Sequence, residues 1–149
     1  TLGERTRLLV LDAIQDPGNV GTMIRTAAAL GATAVVALPG TVDVWNAKVV
    51  RSAAGTQFRF PAIEATVAAL QEYLNHHGVA LWGTDASGSP IETLKAPDRL
   101  AIAVGNEGAG LSDALRARCS TVVSLPMSPD VESFNVAVAA GITLYALRP

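Results

Sequence analysis

Residues 125–147 read LPMSPDVESFNVAVAAGITLYAL and decide how the end of the chain folds. The segment leaves a predicted strand, crosses a loop that contains Pro126 and Pro129, and enters a predicted helix that opens on Glu132, Ser133 and Asn135. Beyond Asn135 this helix is apolar almost all the way round, which indicates burial in the core or against another subunit. Because the start of a helix carries unpaired N–H groups and a partial positive charge, it is also a possible binding site for a carboxylate or phosphate.

Strands and helices alternate through the rest of the chain. Apolar runs predict strands at residues 7–11, 34–38, 79–82, 100–104 and 121–125, and a short extended piece at 58–61. Helices are predicted at 20–30, 45–54, 64–77 and from Ser112 or Asp113 to Cys119, with a polar loop at 85–90. This order predicts an α/β fold with a mostly parallel sheet flanked by helices. Ligands of such folds bind at the carboxyl ends of the strands.

Composition restricts the class of protein. The 149 residues suit a single domain with a real core, and 50% hydrophobic residues indicate a globular chain. No apolar run reaches the roughly 20 residues that a membrane helix needs. The first residues lack the basic-then-apolar order of a signal peptide. We therefore expect a cytoplasmic protein that does not enter a membrane.

Few residues are available for metal binding or redox chemistry. Cys119 is the single cysteine, which excludes an intrachain disulfide and a cysteine-based zinc site and fits a reducing cytoplasm. The two histidines, His76 and His77, are adjacent and suit the C-terminal end of a helix. We expect no metal site.

The formal net charge of −2 argues against strong nucleic-acid binding by the whole surface, because such affinity comes mainly from neutralising phosphates. Trp45 and Trp82 are expected in the core or at an interface rather than as base-stacking platforms. A local basic patch is compatible with the charge, built from Arg5, Arg7, Arg25, Arg51 and Arg59.

Residues 105–110, GNEGAG, follow a predicted strand and would let backbone N–H groups approach a ligand. The loop is neither a GxGxxG nor a Walker sequence, so a tight strand–helix turn explains it at least as well. Glu107 is harder to explain by packing, since it is a carboxylate between glycines. Taken singly, Asn19 and Ser133 are most simply helix caps and Arg25 a solvated charge. These residues alone indicate an α/β domain that binds a small anionic or nucleotide-like ligand.

Three segments taken together resemble a known family. Residues 16–32 (DPGNVGTMIRTAAALGA), 101–112 (AIAVGNEGAGLS) and 123–142 (VSLPMSPDVESFNVAVAAGI) are similar to the three motifs of the SpoU (TrmH-type) RNA ribose methyltransferases. Residues 51–61, RSAAGTQFRFP, resemble the serine-alanine-glycine stretch between the first two motifs. The order and spacing match over nearly the whole chain.

The resemblance implies an activity and an architecture. It implies transfer of a methyl group from S-adenosylmethionine to the 2′-hydroxyl of a ribose in tRNA or rRNA, without a metal. It implies a deep trefoil knot at the C-terminal end of the sheet, and a homodimer packed through the knot and the C-terminal helix. We expect residues 1–149 to form one catalytic domain, with no N-terminal RNA-binding domain in this chain.

The resemblance also implies site residues. Asn19 and Arg25 match the first motif, Glu107 the second, and Ser133 and Asn135 the third, and these five are the expected catalytic residues. The expected cofactor-binding residues are Thr84, Gly105, Leu125, Met127, Phe134 and Asn135. The chain departs from the family pattern at Phe134, where leucine is more usual, and at Ser128-Pro129, which replaces a commoner small or glycine pair.

The role of the arginine has two interpretations. The family proposal makes it the acceptor of the hydroxyl proton, but a guanidinium is a poor base at neutral pH. We therefore expect Arg25 to hold a phosphate and stabilise the developing alkoxide, with water as an alternative proton acceptor. Glu107 would orient Arg25 or hold its own loop.

Two other functions are kept as alternatives. A dinucleotide-dependent oxidoreductase is suggested by the α/β alternation and the glycine loop, but the chain lacks an early GxGxxG and the acidic residue about 20 positions later. A non-catalytic RNA-binding or assembly module with the same fold is disfavoured by the intact motif residues and the net acidity.

Overall fold

The computed structural model describes residues 4–131 and 133–149. The strands are β1 Thr6–Asp12, β2 Ala34–Ala37, β3 Ala62–Glu64, β4 Ala80–Pro90, β5 Arg99–Gly105 and β6 Thr121–Ser124. The helices are α1 Pro17–Ala29, α2 Ala47–Ser52, α3 Val67–His77, α4 Asp113–Arg116 and α5 Val136–Ala146. Short 3₁₀ helices lie at Thr56–Phe58 and Ile91–Thr93.

The six strands form one sheet in the order β3-β2-β1-β5-β4-β6, and every neighbouring pair is parallel. The predicted α/β class with a parallel sheet is therefore confirmed. The central strands β1 and β5 are almost entirely buried, which is why they are nearly continuous apolar runs in the sequence.

Helices cover both faces of the sheet. Alternate residues of β1 point to opposite sides, so Leu9 and Leu11 pack in one core and Leu8 and Val10 in the other. The first core contains the apolar faces of α1, α2 and α5, and the second contains those of α3 and α4. In the described part of the chain no helix is long and apolar enough to cross a membrane.

The start of α1 follows from local sequence signals. The Asp16 side chain accepts a hydrogen bond from the Asn19 N–H at 3.0 Å and caps the helix, and Pro17 takes the first helical position. Asn19 therefore lies inside the first turn, and the interpretation of Asn19 as the cap is wrong. Its side chain is left free for another contact.

Three predicted elements differ from the structure. Residues 56–58 form a 3₁₀ helix and the extended piece comes later, at β3, so α3 begins at Val67 and not at 64. The polar loop predicted at 85–90 is instead part of β4, which bulges and then pairs again with β6. Thr84 and Ser89 both lie in register with Val123, so this pairing depends on β6 and is invisible in the local sequence.

The last helix begins later than its sequence suggests. It starts at Val136, and the Asn135 side chain caps it by accepting from the N–H groups of Ala137 (2.8 Å) and Val138 (3.2 Å). Ser133 precedes the cap, while Glu132 lies outside the described residues. The Asn135 side-chain oxygen already accepts hydrogen bonds from two of the first N–H groups of α5. Those two donors are therefore not available to the anion that was expected to bind at this helix start.

Arg7 is buried and does not join the predicted basic patch. Its guanidinium donates to the carbonyl oxygens of Leu147 (2.7 Å), Thr6 (2.9 Å) and Asp98 (2.9 Å). Burial lowers the pKa of this group from its usual value. The side chain ties the end of α5 to the start of β1, so its role is structural.

Replacing Arg7 by methionine should lower the free energy of unfolding by about 2–4 kcal/mol, because three buried carbonyls lose their charged donor. Urea unfolding followed by circular dichroism measures this change. Arg5→Met, at an exposed neighbouring position, is the control and should leave stability within about 0.5 kcal/mol. Equal midpoints for the two variants would contradict the structural role of Arg7.

Candidate functional site

A large open cavity lies at the carboxyl end of β5, at the bulge of β4 and beside the start of α5. Its volume is about 710 Å³. Four of the five expected catalytic residues line it: Asn19, Glu107, Ser133 and Asn135. Residues that are far apart in the sequence thus converge where parallel α/β sheets bind ligands.

The wall formed by residues 105–110 is a closed turn. The backbones of Asn106 and Gly110 exchange two hydrogen bonds, of 3.0 and 2.9 Å. A Cβ on Gly105 would lie 2.2 Å from the backbone of Gly110 and Leu111, so only glycine fits there. The Asn106 side chain donates to the Ala13 carbonyl at 2.6 Å and accepts from the N–H groups of residues 108 and 109. The turn is rigid and fixed to the loop after β1.

Glu107 joins this turn to the start of α1. Its two carboxylate oxygens accept from the backbone N–H groups of Gln15 (3.3 Å) and Asp16 (3.0 Å). Of the two roles considered for Glu107, these contacts favour holding the loops over orienting Arg25. They also explain why a carboxylate stands between glycines.

A second link connects α1 to α5. The Asn135 side-chain N–H donates to the Asn19 side-chain oxygen at 3.2 Å, across 116 positions of sequence. Since the Asn135 oxygen caps α5, this amide is fixed at both ends. Asp16, Asn19 and Asn135 therefore form one continuous hydrogen-bonded edge of the cavity.

A smaller cavity of about 140 Å³ adjoins the first and shares several of its lining residues. Its own wall is apolar and comes from Val123, Leu125 and Met127, with Phe134 at the boundary. The Thr84 hydroxyl lies at the same boundary and donates to the Ala103 carbonyl at 3.1 Å. All the expected cofactor-binding residues, Thr84, Gly105, Leu125, Met127, Phe134 and Asn135, line these two cavities.

Arg25 lies elsewhere. It is exposed on α1 and lines a separate cavity of about 490 Å³ together with Thr56, Arg59 and Phe60. Arg25 lies six positions after Asn19, which places it about 9 Å further along the helix axis and on a different face. A single chain therefore does not bring the Arg25 guanidinium into the two cavities.

Sequence reasoning missed Asp85, which lines both cavities. Its carboxylate accepts a short hydrogen bond from Ser87 and forms an ion pair with Arg116 at 2.9 Å. The Ser87 hydrogen bond and, to a smaller extent, Arg116 hold the pKa of Asp85 below its usual value. The available signal was its place at the start of the predicted polar loop 85–90, shortly after the predicted strand 79–82.

Nothing in residues 4–131 and 133–149 groups three metal-ligating side chains together. Burial raises the pKa of the Cys119 thiol to about 11, so it stays protonated at neutral pH and is a poor metal ligand.

Known proteins share this sequence and this fold. The model of the SpoU rRNA Methylase family matches residues 6–145. The 23S rRNA (guanosine(2553)-2′-O)-methyltransferase RlmP of Bacillus subtilis is 42% identical over 99% of this chain and 60% of its own length. The 23S rRNA (guanosine-2′-O-)-methyltransferase RlmB of Neisseria meningitidis is 40% identical, also over 99% of this chain and 60% of its own length.

A solved structure agrees with these matches. The SpoU methyltransferase AviRb from Streptomyces viridochromogenes, in complex with the cofactor AdoMet, superposes with a TM-score of 0.90 at 34% identity. The match covers 98% of this chain and 58% of that chain. The chain thus spans about three fifths of the length of the relatives it matches. The family match and these identities show that the chain belongs to the SpoU rRNA methylase family.

Proposed function

We propose that this chain transfers a methyl group from S-adenosylmethionine to the 2′-hydroxyl of a ribose in ribosomal RNA. The observation that carries the proposal is the convergence of Asn19, Glu107, Ser133 and Asn135 on one cavity of a SpoU-family fold. The names of the two curated relatives favour a guanosine of 23S rRNA as the target. A ribosomal RNA substrate favours a cytoplasmic location.

The two cavities suit S-adenosylmethionine. The larger, of about 710 Å³, has the size of a small-molecule site, and the smaller, of about 140 Å³, adjoins it. The apolar wall of Leu125, Met127 and Phe134 fits the flat adenine ring, and the polar wall fits the charged amino-acid end. When bound, S-adenosylmethionine supplies an electrophilic methyl group on a sulfonium, so no metal is needed to activate it.

The chain's own residues would position the ribose. Ser133 and Asn135 face the cavity, and Asn19 holds the Asn135 amide in place. Glu107 keeps the two loops together. Fixing the 2′-oxygen in line with the methyl carbon supplies much of the acceleration in a displacement of this kind.

Arg25 would hold the RNA phosphate beside the target ribose. Its position outside the two cavities fits a phosphate clamp better than a proton acceptor within the same chain. A guanidinium carries five N–H donors in a fork that matches a phosphate. The hydroxyl proton would pass to water.

We further propose a homodimer and a knotted C-terminal segment, as the family resemblance implies. The support is the outer face of α5, where Val138, Ile142 and Tyr145 are exposed although the helix has no polar face. A second copy would cover this face and could bring its own Arg25 to the cavity. Light scattering on the purified chain tests this; an active monomer would contradict it.

A cofactor titration tests the proposed chemistry against the dinucleotide alternative. Calorimetry of this chain with S-adenosylmethionine should show saturable binding, and titration with NAD should show none. Incubation with S-adenosylmethionine labelled on its methyl group should then move the label into ribosomal RNA. Cofactor binding without any transfer to RNA would favour the non-catalytic module instead.

A further inference from the structure

An exposed aromatic pair lies in the loop before α2 and on the 3₁₀ helix Thr56–Phe58, outside the cavities described above. Trp45 is 50% and Phe58 76% exposed, and their ring centroids are 5.3 Å apart in an edge-to-face arrangement. Both tryptophans were expected in the core or at an interface; Trp45 is not in the core of this chain, whereas Trp82, at 7% exposure, is buried. Two large rings left in solvent lose the stability that burial would give them.

Positive charge surrounds the two rings. Residues 43–61 contain three basic residues, Lys48, Arg51 and Arg59, and one acidic residue, Asp43, whose carboxylate accepts from the Trp45 N–H at 2.9 Å. This segment therefore carries a net positive charge, although the whole chain has 13 acidic and 11 basic residues. All three basic side chains are exposed. Within residues 4–131 and 133–149, none of the three forms an ion pair. We call Trp45, Lys48, Arg51, Phe58 and Arg59 the aromatic–basic face.

This face is held rigidly against α1. The Ser52 hydroxyl donates to the Gly18 carbonyl at 2.7 Å. A Cβ on Gly21 would lie 2.4 Å from the Ser52 Cβ, so the two helices touch where α1 has no side chain. The buried Gln57 amide donates to the Val44 carbonyl at 2.8 Å, which ties the segment carrying Phe58 to the loop that carries Trp45. A pre-ordered surface loses little entropy on binding.

The aromatic–basic face continues into the cavity of Arg25. Arg59 lines that cavity beside Arg25 and directly follows Phe58 in the sequence. A nucleic-acid strand whose phosphate is held by Arg25 therefore meets Arg59 next and then the rings. Nucleobases stack on exposed aromatic side chains, and basic neighbours hold the backbone between them.

We propose that the aromatic–basic face stacks an unpaired base of the RNA next to the methylated nucleotide, with the phosphates between them held by Arg59 and Arg51. This inference rests on the proposed function and adds a substrate-positioning site to it. A second copy of this chain is a poor occupant, because two such faces would repel each other through three unpaired cations each. RNA complements both the rings and the charge.

Kinetics with the whole chain test the proposal. Trp45→Ala and Phe58→Ala should each raise the KM for RNA by about five- to hundredfold, the effect of losing one base–aromatic stack. The kcat at saturating RNA and the affinity for S-adenosylmethionine should stay unchanged, since neither ring lines the cofactor cavities. Trp45→Phe keeps a stacking ring and should keep the KM of the parent.

A matched control lies on α3. Tyr73 is 40% exposed and pairs with the ring of His77, and α3 packs in the core on the opposite face of the sheet from α1 and α2. Tyr73→Ala should leave the KM for RNA unchanged. An unchanged KM in both the Trp45→Ala and Phe58→Ala variants would overturn the proposal. So would a change of oligomeric state in these variants, because the face would then be a protein contact.

Fluorescence separates this proposal from the proposed function. A short unstructured oligoribonucleotide should quench the emission of Trp45, and the quenching should disappear in Trp45→Phe and weaken with added salt. Quenching without methyl transfer would support the stacking site and contradict the proposed methyltransferase activity. Methyl transfer without quenching would reject the stacking site alone.

Discussion

Replacing Arg25 by alanine should abolish methyl transfer while leaving the affinity for S-adenosylmethionine unchanged. Arg25 lines neither cofactor cavity, so cofactor binding does not depend on it. In the proposed dimer the Arg25 guanidinium of the second copy would reach the cavity, hold the RNA phosphate and stabilise charge on the 2′-oxygen, and loss of such a group lowers kcat by about 100- to 1000-fold. Single-turnover transfer of labelled methyl to RNA measures the first effect and calorimetry the second.

The control for this variant is Arg118→Ala, at an exposed arginine just after α4. The Arg118 side chain donates to the carbonyl of Ala114, at 2.8 Å, and lines neither cavity. Its replacement removes the same charge and should leave both transfer and cofactor binding intact. Parent-like transfer by Arg25→Ala would remove Arg25 from the mechanism.

Replacing Gly105 by alanine should weaken cofactor binding and thereby reduce methyl transfer. The added Cβ would lie 2.2 Å from backbone atoms of Gly110 and Leu111, and backbone cannot move aside as a flexible side chain can. The turn that forms one wall of the larger cavity must therefore shift. Loss of one or two hydrogen bonds to the cofactor would weaken its binding by about 10- to 100-fold. Calorimetry with S-adenosylmethionine measures this.

Gly108→Ala is the matched control within the same turn. A Cβ there would lie 3.6 Å from the Asn106 side-chain oxygen, which is an ordinary contact. This variant should bind S-adenosylmethionine as the parent does. Circular dichroism should show that both variants fold. Equal cofactor affinity for the two variants would contradict the close approach at Gly105.

Sequence reasoning succeeded where the signals are local. The strand β1 is a continuous apolar run, so it could be predicted from a few adjacent residues. Asp16 and Pro17 are equally local signals, but the helix was predicted from residue 20 and α1 begins at Pro17. The residues that line the two cavities were identified through their resemblance to family motifs. Periodicity and composition indicated a ligand site at the strand ends and nothing more specific.

The errors concern features that depend on distant partners. The second half of β4 is a strand because β6 pairs with it beyond a bulge, and its own sequence looks like a polar loop. Arg7 is buried because the carbonyls of Asp98 and Leu147 meet it there. Asn135, not Ser133, caps α5, and its amide also donates to Asn19 across the sheet edge. No local pattern contains these contacts.

The position of the transferred methyl group tests the central claim most directly. Ribosomal RNA lacking the modification would be incubated with this chain and S-adenosylmethionine labelled on its methyl group, then hydrolysed in alkali. Alkaline cleavage of RNA needs a free 2′-hydroxyl, so a 2′-O-methylated nucleotide remains joined to its 3′ neighbour. We predict that the label appears in one alkali-resistant dinucleotide. Label in mononucleotides, which would place the methyl group on a base, would contradict the proposed function.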